Sequence, residues 1–488
     1  MESYELATPE HQRWITQLLA DTRANGGLAP VDLKQFWIDQ EIANRDPFGA
    51  AIPQVPLGAI CNWECVFDEL GVPQDWWRFQ YADAAWALDL KRRYNDLSER
   101  IVGRRLLDET PADPTRKWPE IKGLHDLFEA RNVWEGGATG SWWIHQSAHT
   151  PDELKALLDR VERRLENLRD FLLPENWIRE KRRLEALGLK PPLYRAQRGP
   201  CTFACSIYGA ENLLLLHFDD PGLMQRFSDL IARAILARAR VLDEEAGFTP
   251  ATAPKGWSWF DDNCCLFNAE MYEQFAMPIH RAVFARYAPT PTDWRYQHSD
   301  SDMAHLLPLI AELDLKGTNF GPTLTVREIR QYCPHAVIDG QLAPFTFSRN
   351  EEANMVAEFL RDFEQARPQR GLRFAAAGSI NNGSRLTGMR LLMSAIQRHG
   401  RYPCRPIVGG KAHTRASGRS LQSHTIELLD HGRHTVGVDV HGRVGLNVRF
   451  EIDDEPVDKI RCGINDIRAV ACALPPYDVI AGLSRARR

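Results

Sequence analysis

His298, Asp300 and Asp302 put an imidazole and two carboxylates at alternate positions of one short segment. An imidazole beside carboxylates does one of two jobs: it moves protons near neutral pH, or it shares a divalent cation with them. Other short apolar runs end in the same kinds of residue. Asp261 and Asp262 follow Trp259-Phe260, and Asp339 and Gln341 follow Val337-Ile338. Asn319 closes the run 315–320, Ser379 follows Ala377-Gly378, and Arg195 and Arg198 follow Leu193-Tyr194. Guanidinium groups suit an anionic substrate because their planar fork matches a carboxylate. These positions single out His298, Asp262 and Asp339 as catalytic candidates. Arg195, Arg198, Asn319, Gln341 and Ser379 become candidates for substrate binding, and His298 with Asp300 for holding zinc or another divalent metal. Any one of them could simply cap the helix that follows; their recurrence after run upon run favours a site.

A fold that gathers run-ends into one place is therefore required. Strand-length runs at 193–195, 256–260, 295–297, 315–320, 336–338 and 373–377 alternate with helical stretches at 271–286, 303–313, 325–332, 351–366 and 385–399. Strand followed by helix, repeated, gives a parallel sheet with covering helices. The number and spacing of the units favour an α/β fold of the closed (β/α)8 TIM-barrel type, whose C-terminal strand ends converge on one mouth. Residues 55–60 add a further short strand. Ahead of it, helices over 12–21 and 31–45 are separated by Gly26, Gly27 and Pro30. Thr150-Pro151-Asp152-Glu153 is a capping box opening a helix toward Phe171; Asp219 or Asp220 with Pro221 opens another, which Gly247 stops. Near the end, Val444, Leu446, Val448, Phe450 and Ile452 alternate with polar residues or glycine, and His441-Gly442 joins them to the run 435–440 as a hairpin. The expected division is an N-terminal helical extension (1–45), a barrel (46–405) and a small β-rich module (406–488).

Composition narrows the function. The 488 residues carry a net charge of −5, with 44% hydrophobic and 26% charged residues, which describes a soluble globular protein without a nucleic-acid or membrane surface. No apolar stretch is long enough for a transmembrane helix, and the first thirty residues do not read as a signal peptide. Ten cysteines in this length are no disulfide framework, so a reducing cytoplasm is expected. No Gly-x-Gly-x-x-Gly follows a strand and no Walker sequence occurs, so no bound nucleotide is implied. Residues 378–383, before the helix at Arg385, could form an anion-binding nest. Eleven of the 14 tryptophans precede residue 178, including Trp76-Trp77 and Trp142-Trp143. Such pairs usually pack in a core, with a wall for a planar ligand as the sharper reading. Cys61 with Cys65, Cys201 with Cys205, and Cys264-Cys265 read as core thiols. The tail histidines His413, His424, His431, His434 and His441 read as turn residues.

The order of several motifs over residues 45–403 resembles the uroporphyrinogen decarboxylase superfamily. They are Gly199-Pro200-Cys201-Thr202-Phe203-Ala204, Gly209-Ala210-Glu211-Asn212, Asp219-Asp220-Pro221, Asp261-Asp262 with 271–278, Ile338-Asp339-Gly340-Gln341, and Ala377-Gly378-Ser379 leading to Gly400-Arg401-Tyr402. The resemblance implies a barrel enzyme, and the chain departs from both known arms. The Arg-Gln-Ala-Gly-Arg motif with which the decarboxylase arm grips a tetrapyrrole is missing. The corrinoid-linked methyltransferase arm holds zinc through His-x-Cys and a later Cys; here His298 matches, Asp300 stands for the first cysteine and Ser379 for the second. What is implied is metal-assisted one-carbon transfer on a small carboxylated or methylated compound, with any corrinoid on a separate partner protein. Asp439-Val440-His441 lacks the glycine of a corrinoid-binding element, so the chain carries no corrinoid domain of its own. The rival expectations are a cofactor-free decarboxylase or related lyase, and a ligand-binding barrel without chemistry. A homodimer is compatible with the tail strands.

Overall fold

The computed structural model describes residues 3–402, 435–438 and 444–447. The chain divides into two compact units, residues 1–405 with Arg488, and residues 406–487. In the second, strands Thr435–Val438 and Val444–Asn447 pair antiparallel, Val438 opposite Val444, as the alternating pattern requires. The tail histidines and the turn at His441-Gly442 lie outside the described residues.

In the first unit, six parallel strands stand in sequence order: β3 (Ala196–Arg198), β4 (Trp257–Phe260), β5 (Arg295–Ser299), β6 (Gly317–Phe320), β7 (Val337–Leu342) and β8 (Leu372–Ala376). Residues 55–59 extend the sheet past β8 through a parallel bridge from Leu57 to Phe374, with the Gly58 and Ala59 N–H groups donating to the Phe374 carbonyl. Helices follow the strands, among them Pro221–Glu245, Ala269–Tyr287, Glu352–Ala366 and Leu386–His399. The sequential parallel order is that of a (β/α)8 barrel. Among the described residues no strand pairing closes the ring between 55–59 and β3. The intervening chain instead forms the helix Ala84–Val102 and an antiparallel hairpin, β1 (Arg131–Glu135) with β2 (Ser141–His145).

Alternation along the strands decides what the sheet presents on each face. Trp257 and Trp259 of β4 are wholly buried and pack outward on the Ala269–Tyr287 helix, against Tyr287 and His280. Ser258 and Phe260 alternate with them and face the other way, which puts the Phe260 ring centroid 5.7 Å from that of His298. The helix starts follow the residues that dictated them. Asp220 caps Pro221–Glu245 through the Leu223 N–H at 3.0 Å, and Thr150 accepts the Glu153 N–H at 3.2 Å. That second helix ends at Glu166, where Asn167 breaks it and a separate turn, Leu168–Leu172, takes over.

Glu129 ties this helix to the rest of the unit. Its carboxylate takes two hydrogen bonds from Arg160 at 2.8 Å and a further ion pair from Arg164. The Arg160 bonds, with Arg164 and against the cost of burial, hold the Glu129 pKa at about 2. A depressed carboxyl pKa contributes stability that is present above the unfolded value near 4.5 and lost as pH falls toward 2. Glu129→Gln should therefore cost about 1 kcal/mol at pH 7, allowing for partial exposure, and should flatten the loss of stability below pH 4.5. Urea unfolding followed from pH 3 to 7 reads both; parallel acid limbs in the two proteins would contradict the assignment.

Candidate active site

His298 lies at the C-terminal part of β5, in register with Phe260 of β4 and Asn319 of β6. It is 7% exposed. Asn319 fixes its tautomer. The Asn319 amide nitrogen donates to the Asp339 carbonyl at 2.5 Å and the Ala376 carbonyl at 2.8 Å, so its oxygen must accept. That oxygen is 2.7 Å from His298 Nδ1, which therefore carries the proton and leaves Nε2 facing the mouth. Nε2 meets Asp300 Oδ1 at 3.1 Å and Asp262 Oδ1 at 3.7 Å. The two acids are themselves joined, the Asp300 N–H donating to Asp262 Oδ1 at 2.9 Å. One donor atom from each of Asp262, His298 and Asp300 falls within 4.8 Å of the others.

A neutral Nε2 lone pair aimed at two carboxylates is unfavourable unless a positive charge lies among them. Burial lowers the His298 pKa, but the hydrogen bond and charge of Asp300, the charge of Asp262 and the Asn319 bond together raise it. A proton on Nε2 supplies the positive charge, and a divalent cation shared by the three groups would supply it equally. One imidazole and two carboxylates suit a harder cation than the thiolate-rich sets that select zinc. The donor set thus fits a metal, and Asn319 is the outer partner that such a histidine usually has.

Two glycines make room for Asp300. A Cβ on Gly378, whose φ is +116°, would lie 2.5 Å from Asp300 Oδ1, and one on Gly321 would lie 2.5 Å from the Asp300 carbonyl oxygen. Gly378→Ala should therefore push the carboxylate from its place and weaken divalent-cation binding about ten- to a hundredfold. Competition with a metallochromic indicator reads that change, and unchanged affinity would show that Asp300 is not a ligand.

The remaining singled-out residues divide between this mouth and other duties. Arg198 ends β3 on an exposed position, paired in register with Phe260 and through it with His298, so it belongs to the same face. Ser379 is exposed beside Gly378 in the loop after β8. Arg195 is not there. The strand expected at 193–195 forms instead over Ala196–Arg198. Arg195 consequently sits at the opposite end, bonded to Asp243 and the Pro254 carbonyl, with its guanidinium 4.2 Å from the Tyr287 ring centroid.

Asp339 is buried at the level of Asn319 and held by Arg373 of β8, with one bond at 2.8 Å. Burial raises its pKa and Arg373 opposes that. Its carboxylate is thus engaged by Arg373 in the same layer as Asn319. Gln341 is likewise structural: its amide donates to the Gly321 and Leu324 carbonyls at 3.0 and 2.8 Å, tethering the loop that faces Asp300. Asp261, neighbour of Asp262, turns inward and accepts the Thr202 N–H at 2.7 Å at the start of the Pro200–Tyr208 helix, which is the capping role. The chain's own acids reach the end of the nest expected at 378–383 and the helix start beyond it. Asp68 accepts the Gly383 N–H at 2.6 Å, and Glu69 accepts the Leu386 N–H at 3.0 Å. Asp262 joins His298 and Asp300 as a ligand candidate that the motif comparison alone did not supply. Glu64 is a further omission. It follows 55–59 at the same end of the sheet, and burial, opposed by an Asn62 hydrogen bond, pushes its pKa up to about 7.

The model of the family described as uroporphyrinogen decarboxylase (URO-D) matches residues 149–399. Among solved structures, the chain is similar to a methyltransferase from Methanosarcina mazei at 15% identity, covering 75% of this chain and 98% of that one with a TM-score of 0.44. No curated protein matches.

Proposed function

The chain belongs to the uroporphyrinogen decarboxylase family, and from that premise we propose that it is an enzyme of metal-assisted one-carbon transfer. The substrate would be a small carboxylated or methylated compound. The observation that supports this most is the convergence of one imidazole and two carboxylates at the mouth of the sheet. His298, Asp262 and Asp300 would hold a divalent ion, which when bound supplies Lewis-acid polarisation of the group that gives or takes the methyl. Asn319 keeps the His298 proton on Nδ1. Arg198, on the same face, would pair with a substrate carboxylate. Asp339, paired with Arg373, would steady the Asn319 layer. Replacement of the family's cysteines by Asp300 and Ser379 argues against a thiolate site and for an oxygen-rich one. The methyl carrier would be a corrinoid on a separate protein, or a diffusible cofactor.

The seven cysteines among the described residues are free thiols. No helix among the described residues is long and apolar enough to cross a membrane.

A second reading has its own support. The raised pKa of His298 would keep an imidazolium at the mouth without any metal, ready to protonate a carbanion-like centre in a decarboxylase or related lyase. The two readings part on chelation. Methyl transfer from methylated donors, assayed with a corrinoid present, should fall at least tenfold after chelation and return on adding back the divalent ion. Turnover of a carboxylated substrate that is indifferent to chelator would establish the lyase instead.

A further inference from the structure

Trp77, Tyr81, Trp134 and Trp142 form an aromatic cluster that the proposed chemistry does not use. All six ring pairs have centroids 5.0–6.3 Å apart, with planes inclined at 45–87°. Trp77 precedes the π-helical turn Arg78–Ala82, and the hairpin of β1 and β2 carries Trp134 and Trp142. An ordinary core would hide these rings, yet Trp77 is 41% exposed. An open surface depression lies beside it, lined by Asp75, Trp77, Trp134, Gly137 and Ala138.

That depression offers ring surface and one charge. The Trp142 indole donates to the Tyr81 hydroxyl at 2.8 Å and the Trp134 indole to the Gly137 carbonyl at 2.8 Å, so these donors are used inside the cluster. Asp75 is the charged residue in the lining, and the Arg78 N–H, donating to its Oδ1 at 2.9 Å, fixes it there. The Arg78 guanidinium is drawn away to Asp83 and lies 4.3 Å from the Trp86 ring centroid. Aromatic faces carry negative potential, and a carboxylate adds to it. A primary ammonium or a guanidinium would need several acceptors to replace its hydration, whereas a cation with its charge spread over methyl groups needs none.

We propose that this wedge is a binding site for a methylated ammonium group, of the kind found in small quaternary ammonium compounds. Its place is at the rim of the same sheet end as His298. The adjoining Gln74 accepts from Asn382 at 3.2 Å, in the loop that begins at Gly378 beside Asp300. Binding at the wedge does not depend on a metal or on methyl transfer.

The test is calorimetric titration of the full-length protein with choline, and with 3,3-dimethylbutan-1-ol as its uncharged isostere. Choline should bind at least tenfold more tightly than the isostere. Asp75→Asn keeps an oxygen for the Arg78 N–H and should weaken choline at least fivefold, as should Trp77→Ala at its exposed position. His298→Ala should leave choline binding unchanged, which separates this site from the catalytic reading. Equal affinity for choline and isostere, no measurable choline binding, or indifference to both wedge substitutions in folded protein would overturn the proposal.

Discussion

Turnover should fall at least about 100-fold in His298→Ala, while the unfolding temperature stays within a few degrees of the parent. The effect is large because one side chain serves two neighbours. Nε2 is the only nitrogen of the Asp262, His298, Asp300 group, and Nδ1 is the hydrogen-bond partner of Asn319. Removing the ring leaves the two carboxylates facing one another without the positive charge that joins them. The fold should survive, because Asn319 keeps both of its bonds to the Asp339 and Ala376 carbonyls. Asn319→Ala should show the opposite balance, with a ten- to hundredfold activity loss and a measurable stability loss, since those carbonyls lose their donor. Steady-state kinetics beside thermal unfolding reads the split. A His298→Ala protein that turns over normally would remove the imidazole from the chemistry.

Arg373→Met should cost about 3–5 kcal/mol of stability, a loss that arises inside the barrel rather than at its mouth. Asp339 is 1% exposed and Arg373 is its ion-pair partner, so the substitution strands a buried carboxylate. The energy reports the unpaired charge more than the worth of the pair. The double replacement Asp339→Leu with Arg373→Met, which removes both charges, should recover most of the loss. Equilibrium unfolding in urea gives the three values. A loss under about 1 kcal/mol in Arg373→Met would mean that Asp339 is not neutralised by this arginine, and would return it to the list of groups free to act on substrate.

The sequence carried the order of strands and helices because apolar runs and caps are local signals. Pro221 after Asp220, and Pro151 after Thr150, state their helix starts within a few residues. His298, Asp300 and Asp262 were legible for a related reason: each follows an apolar run, and run-ends converge in a parallel sheet. Arg195 was misplaced because a three-residue strand has no internal pattern to show where it begins. Asp339 and Gln341 occupy mouth-like positions in the chain but are claimed by Arg373, Gly321 and Leu324, all distant in sequence. The same holds for the end of the anion nest and the helix start beyond it, which Asp68 and Glu69 reach from more than three hundred residues away. The aromatic wedge could be suspected from paired tryptophans, but only the folded chain shows Trp77 meeting the hairpin while Trp76 packs against Phe67.

Divalent-cation binding by Asp262, His298 and Asp300 is read by elemental analysis of gently purified protein, with His298→Ala prepared in parallel. Close to one equivalent of a divalent metal per chain is expected in the parent and little in the variant. A parent protein that is metal-free, and remains so after reconstitution with zinc, manganese, iron and cobalt, would contradict it.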